Sequence, residues 1–330
     1  MKKTLIALAA VAAMGAASAE VTLYGKLDAG VSVVNTTDAV NQSAQITSGN
    51  YEGSRIGVKG SSAIAGGVKG VFQLEGGLGA TDGSFSNFGR VATLGLAGSF
   101  GTVTAGLQWT PYDSAFNDGL ENNGFAPTFA AFCTSIHCDA GSDGATSGKG
   151  NTQHSIQYAT PTMGGFSASA LYANGGDAGV SNSASAYTGF GLNYAAGPVG
   201  AQLATESVKS TSGAIVNAWL LTGSYNLGVA TAFLGAEGVD AAAGKSTGYS
   251  ASVSVPVAKA VTVGLGYATD TQTSSGSSDG KINSAGVQAV YAWNAATALY
   301  AGYNTTDTTA IASTVKLTTT KFATGVRYNF

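Results

Sequence analysis

Apolar and polar side chains alternate one by one along most of the chain. Val21, Leu23, Gly25, Leu27, Ala29 and Val31 are apolar or small, and Thr22, Tyr24, Lys26, Asp28 and Ser32 interleave with them. A period of two belongs to an extended strand whose two faces meet different surroundings. The alternation returns at Tyr249, Ala251, Val253 and Val255, at Val261, Val263, Leu265 and Tyr267, and at Phe322, Thr324, Val326, Tyr328 and Phe330. About sixteen such segments succeed one another, each about 9–11 residues long, the length a tilted strand needs to cross a bilayer.

The connections between them alternate in length. Short ones are predicted near 60–67, 97–101, 161–165, 195–198, 226–228, 256–260 and 292–296. Long polar ones are predicted near 33–53, 76–89, 109–152, 174–185, 206–215, 236–247, 269–281 and 304–318. Seven turns and eight loops describe an up-and-down meander with every long loop at one end, as in barrels that span an outer membrane. In hydrocarbon each backbone N–H and C=O must be paired internally, so the sheet has to close and leave no edge. The expected fold is therefore all-β, a 16-stranded antiparallel transmembrane β-barrel. Side chains fill a barrel interior only near eight strands, so this one encloses a water-filled lumen. Tyr158, Tyr172, Tyr194, Tyr225, Tyr267, Tyr291, Tyr303, Tyr328 and Phe330 lie near strand ends, where interfacial aromatic girdles form.

Composition narrows the alternatives. Only 10% of the 330 residues are charged, against about 25% in ordinary soluble domains, and 48 are glycine. Lys2 and Lys3, an apolar stretch from Leu5 to Ala13 and the small residues Ala17-Ser18-Ala19 form a secretory signal, so 1–19 is read as cleaved and 20–330 as one barrel domain. Past that signal no apolar run is long enough for a membrane helix. Without Lys2 and Lys3 the chain carries 13 basic and 18 acidic side chains, a formal charge of −5 that disfavours a nucleic-acid partner. The two histidines, His137 and His154, and the lack of a Gly-x-Ser-x-Gly elbow speak against a hydrolase. Neither an enzyme nor a cofactor or metal site is expected.

With these features the sequence resembles the trimeric general porins of Gram-negative outer membranes, most closely their β-proteobacterial branch. The resemblance is carried by Val21-Thr-Leu-Tyr-Gly-Lys-Leu-Asp-Ala-Gly30, Gly53-Ser-Arg-Ile-Gly-Val-Lys-Gly60, Gly67-Val-Lys-Gly-Val-Phe-Gln-Leu-Glu-Gly76, Gly89-Arg-Val-Ala-Thr-Leu-Gly-Leu96, Ser99-Phe-Gly-Thr-Val-Thr-Ala-Gly106 and Val326-Arg-Tyr-Asn-Phe330. It implies a homotrimer embedded in outer-membrane lipid and passing small hydrophilic solutes and ions by diffusion. It also implies recognition of Phe330 by the barrel-assembly machinery, and a third loop that folds inward to narrow the pore.

That loop, 109–152, is the longest connection and carries Asp113, Asp118 and Glu121 near its start. By parity Lys26, Arg55, Lys59, Lys69, Arg90, Lys321 and Arg327 fall on polar faces, as do Asp28, Glu75 and Glu206, giving seven basic against three acidic groups. Lys26, Arg55, Glu75 and Arg90 each stand about five to eight residues from a short turn and so share one level of the barrel. The predicted constriction sets these four against the loop acids, with a modest anion preference. Arg55 and Arg90 match the family's arginine cluster; the alternative is that they pair with Glu75 and simply brace the wall. Leu94 and Leu96 complicate the parity of Arg90, because strict alternation puts all three on one face. Trp109, Tyr112, Phe116, Phe125, Phe129 and Phe132 cluster in the loop and admit a second reading, an aromatic track in a sugar-specific channel, unless they pack the loop against the wall. Cys133 and Cys138 sit in the same loop past an export signal and suggest an intraloop disulfide, with free thiols or a metal site through His137 as the alternatives.

Overall fold

The computed structural model describes residues 20–37, 43–117, 150–174, 186–209, 215–241, 244–274 and 279–330. The predicted leader, Asp118, Glu121, Cys133 and Cys138 lie outside them. The strands are β1 (Glu20–Thr36), β2 (Gln45–Ser48), β3 (Arg55–Ala65), β4 (Val68–Gly77), β5 (Val91–Gly98), β6 (Gly101–Trp109), β7 (Asn151–Ala159), β8 (Phe166–Asn174) and β9 (Ala186–Ala196). They continue with β10 (Val199–Lys209), β11 (Ile215–Asn226), β12 (Thr231–Ala241), β13 (Gly244–Ala258), β14 (Val261–Thr273), β15 (Gly280–Ala292), β16 (Thr297–Thr309) and β17 (Lys316–Asn329). One short helix, α1 (Pro111–Phe116), follows β6.

All pairings are antiparallel, between sequence neighbours everywhere but at β1, through which the sheet closes. On one side Lys26–Thr36 runs against Asn329–Thr319 of β17. On the other, Glu20–Lys26 pairs with Ser61–Arg55 of β3 and Ala29–Ser32 with Ser48–Gln45 of β2. β2 and β3 thus share one place in the sheet, and the seventeen strands fill sixteen positions of a closed barrel. Gly25 and Phe330 complete the seam with two backbone hydrogen bonds of 3.0 and 3.1 Å.

The predicted faces hold around the ring. Leu23, Leu27 and Val31 are exposed on the outside, whereas Asp28 is fully buried inside. Eight of the nine aromatic residues expected in the girdles are exposed on the outer face, and the ninth, Tyr194, is half-buried against Phe166 with ring centroids 4.5 Å apart.

Two local features differ from the sequence reading. Several strands run on through segments expected as loops: β12 and β13 occupy most of 236–247, separated only by 242–243, and β16 extends to Thr309. Above the lipid both faces of a strand meet water, so alternation fades there while the backbone ladder continues; Asp240 and Lys245, register partners on β12 and β13, form an exposed ion pair of 2.7 Å. Arg90 is the second difference. It lies in a bend before β5 and not in the strand, so it is released from the strand's parity, and Leu94 at 70% exposure points outward without conflict. Its backbone N–H donates to the Glu75 carbonyl at 3.1 Å.

α1 turns the chain from the rim into the lumen. Thr110 caps it by accepting the Asp113 N–H at 3.0 Å, and Pro111 occupies the first turn. Tyr112 and Phe116, one helical turn apart, are both fully buried and pack with Ala204 on β10 and with Ala218 and Leu220 on β11.

Candidate functional site

The charged side chains converge on the wall formed by β1, β3, β4 and β17. Register places Lys26 opposite Arg55 on one side and Asn329 on the other, and Asp28 opposite Arg327. Glu75, next to Gly57 on the adjoining strand, is the point where two arginines meet. Arg90 Nε lies 2.7 Å from Glu75 Oε1 and Arg55 Nε lies 3.9 Å from the same oxygen. The other carboxylate oxygen accepts the Tyr24 hydroxyl at 2.9 Å, and Tyr24 in turn accepts the Gln73 amide at 2.7 Å. These contacts bring Arg55, Glu75 and Arg90 together, and register sets Lys26 beside Arg55.

Glu52 was missed by the sequence reading, because it belongs to a segment, 33–53, that has the composition of an outer loop. Its part between β2 and β3, 49–54, lies against Asp28 on the inner wall. Asp28 holds it there: one carboxylate oxygen accepts the N–H groups of Tyr51 and Glu52 at 2.8 and 2.7 Å, and the other accepts the Tyr300 hydroxyl at 2.6 Å. Ser54 adds a hydrogen bond from the Asp28 N–H at 2.9 Å. Glu52 then takes Lys26 Nζ at 2.6 Å and Arg327 Nη1 at 2.9 Å on a single oxygen. Burial raises the proton affinity of this carboxyl, but the Lys26 hydrogen bond and the charges of Lys26, Arg327 and Arg55 outweigh it and hold Glu52 below the usual carboxylate range. Asp28 works from beneath, as a brace, and does not face the water path.

Four cations therefore share two carboxylates, an excess of two positive charges on one patch of wall. Aromatic rings back two of them, and the neighbouring Lys59 as well. Arg90 lies 4.9 Å from the Trp109 ring centre, Arg327 5.1 Å from that of Tyr51 and Lys59 5.2 Å from that of Tyr24. Tyr51 also stacks on Tyr300 with centroids 5.3 Å apart. Such faces favour a cation and stiffen its side chain.

Acidic groups collect about half the circumference away, beneath α1. The Tyr112 hydroxyl donates to Glu237 Oε2 at 2.9 Å, and the Tyr187 hydroxyl to Glu206 Oε2 at 3.1 Å. Burial first, then the Glu237 charge, pushes the Tyr112 phenol up, so it remains a neutral donor. Asp113, predicted to face the basic wall, is 4% exposed and accepts the Asn117 amide at 2.6 Å. Glu237 and Asp270 also face inward and were absent from the parity count, so the inward excess of basic over acidic groups is smaller than seven against three implied.

Comparison with known proteins agrees with this architecture. A family model described as Gram-negative porin matches residues 4–310. The chain is 35% identical over 241 residues to outer membrane porin protein 32 of Delftia acidovorans, covering 70% of this chain and 67% of that protein. It is 34% identical over 202 residues to major outer membrane protein P.IB of Neisseria gonorrhoeae, covering 59% of this chain and 53% of the other. Among solved structures, an anion-selective porin from Comamonas acidovorans superposes with a TM-score of 0.81 at 26% identity, over 95% of this chain and all of that one. A closed antiparallel barrel with an apolar exterior and a charged inner wall, matched over nearly its whole length by one family, fixes the assignment: the chain belongs to the Gram-negative porins, outer-membrane channels that pass small hydrophilic solutes by passive diffusion.

Proposed function

We propose that this channel prefers anions and that the preference arises at the wall of Lys26, Arg55, Arg90 and Arg327. The observation that carries the reading is that, among the described residues, these four cations share ion pairs with two carboxylates, Glu52 and Glu75. Each cation remains partly open to the lumen, with 18 to 29% of its side chain exposed. Fixed charge at an aperture comparable to the ~8 Å Debye length is only partly screened. Glu206 and Glu237 on the facing wall, with Asp113 on α1 beside them, give the field a direction across the pore. Pairing with Glu75 does not compete with this role: it braces the arginines and leaves the excess in place. The similarity to a porin described as anion-selective supports the same sign.

The channel functions as a homotrimer, inserted by the barrel-assembly machinery through Phe330; the family resemblance supports both. Of the aromatic residues behind the sugar-specific alternative, Tyr112 and Phe116 are fully buried against the wall and offer no stacking surface, Trp109 backs Arg90, and Phe125, Phe129 and Phe132 lie outside the described residues. Planar-bilayer recording tests the proposal. Under a potassium chloride gradient the reversal potential takes the sign of chloride preference, and closures come in groups of three steps. A potential near zero or of cationic sign overturns the reading.

A further inference from the structure

The lumen is divided in its chemistry as well as its charge. Two residues below the point where α1 meets the wall, a recess of about 300 Å³ opens between β8, β9, β10 and β11. Register fixes its place: Gly191 pairs with Ala204 at the level of α1, and Asn193 pairs with Gln202 below it, toward the short turns. Around the recess stand the inward side chains of Ser167, Asn193, Gln202, Thr222 and Ser224. The space that a side chain at position 200 would take is held by the Ser224 hydroxyl, and no charged residue among the described ones lines the recess. The Oε1 atom of Gln202 is buried there without a hydrogen-bond partner among the described residues. A terminal amide turns readily, so either end of Gln202 can be presented to a guest.

A wall of hydroxyls and amides without formal charge gives an ion nothing that water does not already provide. It suits a solute that offers several neutral donors and acceptors at once, each replacing a hydrogen bond to water. The volume lies at the small end for ligand sites. The recess also lies about half the circumference from the arginines, so a guest there does not stand in the anion path. We propose that this recess is a binding subsite for a small neutral polyhydroxylated solute, a sugar or polyol, on the uncharged side of the pore. The proposal rests on the channel reading above and deepens it.

The test uses the full-length reconstituted channel, with sucrose as the probe in a constant salt solution. Binding produces excess current noise that saturates with sucrose concentration in the wild type. In Thr222→Val, and in the milder Ser224→Ala, half-saturation moves up by about tenfold or less, the range expected for loss of one hydrogen bond to a guest. Each variant is normalised to its own sugar-free current, which also shows that it has folded and inserted. Sucrose that lowers current in simple proportion, with no saturation in the wild type, overturns the subsite. So does saturable noise that both variants leave unmoved, or saturation by the dianion malonate that Thr222→Val weakens. Absence of any salt current from the wild type defeats the channel reading instead, an outcome distinct from these.

Discussion

Glu52 decides how much of the local positive charge is felt in the pore, since one of its oxygens holds both Lys26 and Arg327. Glu52→Gln releases both cations, and the reversal potential of the variant at neutral pH shifts further toward chloride. The pH dependence follows from the same geometry. A carboxyl held below its unfolded-state value of about 4.3 contributes stability above that value and loses it as pH falls through the lower folded one. Protonation of Glu52 therefore adds anion preference only in acid below the ordinary carboxylate range. Reversal potentials over an acid series check this: the Glu52 component of the rise appears late in the wild type and is absent from Glu52→Gln. At this scale the sequence was informative where a residue lies in a regular strand, as with Lys26, Arg55 and Glu75. It was silent on Glu52 and left the inward face of Arg90 in conflict with Leu94 and Leu96, because parity ends where the chain leaves the ladder. Both sit in bends whose course is set by distant partners, Asp28 for one and Glu75 with Trp109 for the other.

Among the elements, α1 depends on few attachments. Its burial of Tyr112 and Phe116 is apolar, but the Tyr112 hydroxyl also satisfies Glu237, a buried carboxylate on β12. Tyr112→Phe removes that donor and costs on the order of 1–3 kcal/mol of anchoring. The expected result is greater open-channel noise with the mean conductance little changed, read from current power spectra. The seam between β1 and the C-terminus is equally specific. A Cβ on Gly25 would run into the Phe330 ring and lie 2.7 Å from the Arg55 carbonyl oxygen. Gly25→Val accordingly lowers the temperature at which the folded band disappears on unboiled gels, and normal heat resistance would contradict the packing described. The strands were readable because lipid enforces a period of two along each of them. The attachment of α1 was not, since Tyr112 and Glu237 are 125 residues apart and no local pattern links them.

For the molecule as a whole, closure is the condition on which the rest depends. A sheet in hydrocarbon cannot leave an edge, and the β1–β17 ladder removes it. Closure also brings Arg327, near the end of the chain, beside Lys26 and Glu52, near its start. A selective patch is thereby made from strands that only the finished barrel brings together. Barrel class and strand number were legible, because alternation and loop lengths repeat sixteen-fold. The internal division into a basic wall, an acidic wall and an uncharged recess was legible only in part, since it depends on shear and on bends that parity does not encode.

The most direct test of the central claim is the reversal potential of Arg55→Glu/Arg90→Glu beside the wild type in the same potassium chloride gradient. The double substitution turns the local excess of positive charge into an excess of negative charge. A shift from chloride toward potassium preference is the predicted result. An ion preference identical to that of the wild type would contradict the assignment of selectivity to this wall.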